Sequence, residues 1–112
     1  MAMAYEYYQK FDKDFAEKCL NAAKNAWAFL QKNPNFIFSN PSDITTGDYG
    51  DTSDIDERYW AAAQMWRATG EDTYRTALES MRVQNGMDWM EVGDYGNIAI
   101  LTMDGVDTNS DL

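Results

Sequence analysis

Apolar residues in the first third of the chain recur at helical spacing. Phe15, Cys19, Ala23 and Trp27 stand four apart, Leu30 follows three further on, and Leu20 and Ala26 widen the stripe. This pattern predicts an amphipathic helix over residues 11–31. Asp12 or Asp14 can cap its start, and Asp14 with Glu17 has the spacing of a capping box. Asn33-Pro34 ends it, because proline cannot continue a helix and pushes its predecessor towards extended geometry. Residues 33–53 carry no periodicity and are rich in Asn, Pro, Ser, Thr, Gly and Asp. A structureless connection of about 20 residues is uncommon in a compact domain unless it serves a site or a ligand.

The pattern then resumes. A second helix is predicted over about 54–69, with Trp60, Ala63 and Trp66 facing roughly one way and Gly70 placed for a left-handed C-terminal cap. A third is predicted over about 73–83, where Tyr74, Ala77, Leu78 and Met81 follow i, i+3, i+4, i+7. "NIAILTM", residues 97–103, fits helix or strand: its β-branched residues favour strand, its helical context favours helix. Residues 1–10 read as a leader or cloning remnant plus linker, and 104–112 as a polar tail. The expectation is one all-α unit of three or four helices with one long acidic loop.

Composition narrows the function. A chain of 112 residues is one domain at most, and 45% apolar content with four tryptophans argues against disorder. A net charge of −10 makes nucleic acid and anionic membranes poor partners, and favours cations and neutral ligands. No apolar run approaches the roughly 20 residues of a membrane span, and "MAMAYEYYQKF" lacks the features of a signal peptide. The single cysteine, Cys19, excludes an internal disulfide framework and is read as a small buried hydrophobe. The absence of histidine removes the commonest general base and zinc ligand.

Charge is crowded in "GDYGDTSDIDE", residues 47–57, which holds Asp48, Asp51, Asp54, Asp56 and Glu57 without one lysine or arginine. Asp54, Asp56 and Glu57 suit a helix N-terminus, worth about 0.3–1 kcal/mol each. Asp48 and Asp51 fall outside that account. Calcium takes six to eight oxygen ligands in flexible geometry, and Gly47 and Gly50 let carbonyls turn inward, although the spacing is not that of an EF-hand. A pair of carboxylates can also act as the acid and base of a glycosidase, if an apolar wall raises the pKa of one. The tail "DTNSDL" copies half an EF-hand loop by coincidence. Trp27, Trp60 and Trp66 are assigned to core packing, and Trp89, in a loop, is left open as a sugar-stacking ring.

"FAEKCLNAAKNAWAFLQKNP", "TGDYGDTSDIDERYWAAAQMWRATGEDTY" and "DWMEVGDYGNIAIL" resemble consecutive segments of glycoside hydrolase family 9, over residues 11–103. The resemblance implies part of an (α/α)6 barrel from a secreted cellulase that hydrolyses β-1,4-glucans with inversion. Such enzymes use an aspartate base in an Asp-Ala-Gly-Asp motif and a glutamate acid near the end of the domain, with a histidine-bearing segment upstream of the acid. None of the three occurs here, so the chain looks like an internal segment without catalytic residues, inactive alone; a free-standing helical calcium-binding or interaction module from that family is the alternative. The resemblance also implies a calcium site at Thr46, Asp48, Asp51, Asp56, Glu57 and Glu91, with Met90 where some relatives place an acid. Thr45 and Asn85 stand where relatives place sugar-stacking aromatics, which leaves Phe36, Phe38 and Tyr49 as candidates for contact with glucan. The remaining barrel helices, or a second copy of the chain, are the expected protein partners.

Overall fold

A computed structural model describes residues 1–47 and 50–106. Asp48, Tyr49 and the "DTNSDL" tail lie outside the described residues. Among the described residues five helices follow in order: α1 (Ala2–Tyr8), α2 (Lys13–Lys32), α3 (Ile55–Thr69), α4 (Asp72–Glu79) and α5 (Gly93–Leu101). Among the described residues there is no strand, so the all-α expectation holds. Among the described residues no helix is long and apolar enough to cross a membrane.

α2 and α3 begin and end close to where the pattern placed them. Asp12 caps α2, its side chain accepting a hydrogen bond from the Phe15 backbone N–H at 2.9 Å. α3 closes on Gly70, whose φ of 68° is the left-handed cap that glycine adopts without strain. α4 stops at Glu79, short of the expected residue 83. The Ser80 hydroxyl donates to the Ala77 carbonyl at 2.6 Å, a local bond of the kind that competes with continued helix. "NIAILTM" is helical through Leu101, and its helix starts four residues earlier than that string, at Gly93.

α1 departs from the reading of residues 1–10 as leader and linker. It packs on α2 and α3, and Ala2 joins the core. The Glu6 carboxylate accepts from Gln64 Nε2 at 2.7 Å and Arg67 Nε at 3.0 Å, while the Tyr8 ring meets Phe15 edge-on. Arg67 also donates to the Ala99 carbonyl and the Thr102 hydroxyl, so one side chain of α3 links α1 to α5.

α3 is the central helix. Ala62 and Ala63 are wholly buried, and Tyr59, Met65 and Trp66 are buried around them with Tyr74, Leu78 and Ala99. Small side chains let helices approach closely. A Cβ on Gly96 of α5 would lie 2.8 Å from the Tyr59 ring, and the neighbouring Tyr95 stacks on Trp60 at 4.9 Å between ring centroids. On α2 the buried stripe narrows to Ala16, Cys19 and Ala23, and Phe15, expected in it, is exposed. Cys19 is buried, as read from the sequence. Trp66 is buried and Trp27 packs against the core edge-on to Tyr74, which agrees with a packing role for both.

Candidate functional site

The acidic residues gather where the first turn of α3 meets the long loop and the segment entering α5. Asp56 lies in that first turn and is 7% exposed. Its Oδ2 accepts the Val92 backbone N–H at 2.6 Å. Val92 is the N-cap residue of α5 and has no side-chain capping bond. The Asp56 carboxylate therefore sits at the positive end of α5 as well as at that of α3, where a negative charge is favoured.

Glu57, next along α3, is in the opposite situation. Burial of its carboxyl pushes the pKa up to about 7, and a hydrogen bond that protonated Glu57 donates to Asp56, the negative charge of Asp56 and then that of Asp51 push the same way against an opposing backbone hydrogen bond. Asp51 accepts the Ser53 backbone N–H at 3.0 Å, which folds the loop back on itself just before α3. Asp51 and Asp56 thus both act on the Glu57 carboxyl.

Two clefts open from this cluster. One, of about 470 Å³, is lined by Asp51, Ser53, Asp56, Asn85, Met90 and Glu91 among others. The second, of about 410 Å³, runs between the two limbs of the long loop, with Phe36, Phe38 and Asn40 facing Asp51 and Glu57, and Trp89 at its wall. Glu91 reaches the first cleft from a tight turn in which Asp88 Oδ1 accepts the backbone N–H groups of Met90 and Glu91, both at 2.9 Å. Those two bonds hold the Asp88 carboxyl below the usual carboxylate range. Gly86 permits that turn: its φ is +109°, and a Cβ there would come within 2.3 Å of the Glu91 side chain.

Of the six residues named from the sequence, the fold brings Asp51, Asp56 and Glu91 to one cleft and sets Glu57 beside Asp51 and Asp56. Thr46 lines neither cleft, and its carbonyl accepts from Asn40 Nδ2 at 3.3 Å. Asp48 lies outside the described residues. Among the described residues no three carboxylate or thiol groups converge closely enough to hold a metal ion by themselves. Carboxylate oxygens are among the ligand types that calcium takes. Trp89, left open by the sequence, is 79% exposed.

Sequence reasoning missed two organising side chains. Asn97 of α5 donates to the Gln84 carbonyl at 2.9 Å and to Asp94 Oδ1 at 2.8 Å, and accepts from the Tyr59 hydroxyl at 2.7 Å. It thereby fastens the turn bearing Glu91 to the core, and nothing in its sequence neighbourhood marks it. Arg58 pairs with Asp54 at 2.7 Å and donates to the carbonyls of Leu30 and Asn33. The i, i+4 spacing to Asp54 was a visible signal for the first of these contacts only.

Residues 1–110 match the sequence profile of Glycosyl hydrolase family 9. The chain belongs to glycosyl hydrolase family 9. Endoglucanase D of Acetivibrio thermocellus is 40% identical over 106 residues, which is 89% of this family 9 chain and 17% of the endoglucanase. A xyloglucan-specific endo-beta-1,4-glucanase of Bacteroides ovatus is 33% identical over 86 residues, 67% of this chain and 14% of that protein. A solved Bacteroides ovatus GH9 structure superposes with a TM-score of 0.77 at 26% identity, covering 97% of this chain and 22% of that one. The five helices are accordingly part of an (α/α)6 barrel. The chain spans about a sixth of the length of the curated endoglucanase it matches. The matched range takes in α1, ahead of the segment starting at residue 11 on which the sequence resemblance rested.

Proposed function

We propose that this family 9 chain is an internal segment of a β-1,4-glucan-hydrolysing catalytic domain, and that its own task is to hold calcium. The ion would be held by Asp51, Asp56 and Glu91 with Glu57 beside them; Thr46 and Asp48, named from the sequence, would have to come from the loop, since Thr46 lines neither cleft. The observation that carries the reading is that Asp51, Asp56 and Glu91, from the long loop, α3 and the α5 approach, line a single cleft, with the raised Glu57 carboxyl beside Asp51 and Asp56. When bound, calcium supplies structural charge neutralisation. Asp56 holds the Val92 N–H on Oδ2.

The reacting carboxylates belong, in this reading, to other parts of the same domain. The overlap of 17% with an endoglucanase and the absence of histidine support that assignment. The β-glucan substrate is inferred from the names of the relatives, an endoglucanase and a xyloglucan-specific glucanase, and a location outside the cell follows from such a substrate. Exposed Phe11, Phe38, Val83 and Leu101 support burial of these faces by the remaining barrel helices, or by a second copy when the chain is alone.

Calcium titration of the 112-residue chain tests the proposal, with thermal melting as readout. A ligand held only by the folded state adds RT ln(1 + [L]/Kd), about 2.7 kcal/mol at a hundredfold excess over Kd. The midpoint is expected to rise with calcium, fall back with chelator, and respond weakly in Asp51→Asn. An unchanged midpoint at millimolar calcium rules the reading out.

A further inference from the structure

Resting on the calcium reading above, we propose that Arg58 is the positioning residue of the site, closing the neck of the long loop so that Asp51 is held against Asp56 and Glu57. The guanidinium makes contacts at both roots of that loop. At the first root, Nη1 donates to the Leu30 carbonyl at 2.7 Å and Nη2 to the Asn33 carbonyl at 2.6 Å. At the second, Nη2 pairs with Asp54 Oδ2 at 2.7 Å. Asn33 caps the end of α2 and Asp54 the start of α3, so a single side chain bridges the two points between which residues 34–53 run.

Three physical points support the assignment. The Arg58 side chain is 13% exposed, so these charged bonds are shielded from water. Its positive charge lies at the C-terminal, negative end of α2, where orphan carbonyls need donors. A planar fork reaches the carbonyls of two residues and a carboxylate together, whereas lysine presents one compact charge. Among the described residues the buried Arg58 Nε finds no acceptor, so the fork's two outer nitrogens carry the clamp. Each limb of the loop contributes a wall to the 410 Å³ cleft: Phe36, Phe38 and Asn40 from the first, Asp51 and Ser53 from the second. Holding the roots together sets the separation of these walls before any ligand arrives, and lowers the ordering cost of closing about 20 residues.

The test compares Arg58→Lys with the parent chain by three measurements. These are calcium affinity by calorimetry, amide exchange of loop peptides with calcium chelated, and helix content by circular dichroism. Expected is about a tenfold weaker calcium Kd, the order given by one lost charged hydrogen bond. Loop exchange in chelator should be faster, with exchange in α4 and α5 unchanged. Equal loop exchange in variant and parent overturns the inference. So does a loss of protection spread over α4 and α5, because Arg58 would then be a general staple. If the parent binds no calcium yet the loop alone loosens in the variant, the calcium reading falls and the clamp on the loop stands.

Discussion

Glu57 should make the calcium-free chain less stable as pH rises, and Glu57→Gln should abolish that dependence. The sign follows from the direction of the shift. In the unfolded chain the carboxyl ionises near 4.5, whereas in the folded chain it holds its proton up to about 7. The folded state therefore binds more protons between those values, and stability falls as pH climbs through them. Below pH 4.5 Glu57 costs nothing; above pH 7 the full penalty is present. The shift corresponds to a ceiling of about 3.4 kcal/mol at about 1.36 kcal/mol per pH unit. Glu57 as a residue keeps more than a third of its surface, so solvent screens part of the repulsion and about 1–2 kcal/mol is the working figure. With an unfolding entropy near 2.1 cal/mol/K per residue, a chain of 112 residues moves about 4 °C per kcal/mol. Melting in chelator should thus place Glu57→Gln about 4–8 °C above the parent at pH 8, with the two coinciding at pH 4. A difference that is the same at both pH values, or absent at pH 8, would refute the account of the crowded carboxylates.

Two further outcomes test the packing around the site. Asp56→Ala, measured in denaturant at pH 5 where Glu57 holds its proton, should cost about 1.5–3 kcal/mol, because the Val92 N–H loses a charged acceptor at 2.6 Å; a change under about 0.5 kcal/mol contradicts the bond. Gly96→Ala should destabilise by about 1–3 kcal/mol although alanine is the better helix former, since its Cβ meets the Tyr59 ring at 2.8 Å and the Trp60 Cα at 3.2 Å. A rise in melting midpoint would show that α5 can shift away from α3 without loss.

Sequence by itself determined the long helices and the character of the site. α2 and α3 were legible because helix caps and breakers act over three or four residues: Asp12 before the Phe15 amide, Asn33-Pro34, and Gly70 in the left-handed cap. The family was legible in motif strings, and the acidity of residues 47–57 in composition alone. α1 and α5 were settled by tertiary packing. A seven-residue segment has too few backbone bonds to stand alone, and gains its stability from Ala2 in the core and from Glu6 bound to Gln64 and Arg67 of α3. "NIAILTM" has no decisive period, and close approach at Gly96 to Tyr59 and Trp60 provides the contact that its own pattern lacked. The same distinction applies at the site. Residue types announce a crowd of carboxylates, but which of them meet depends on separations of about 30 residues or more. Asp56 reaching Val92 and Arg58 reaching Leu30 are contacts of that kind, and local pattern carries no information about them.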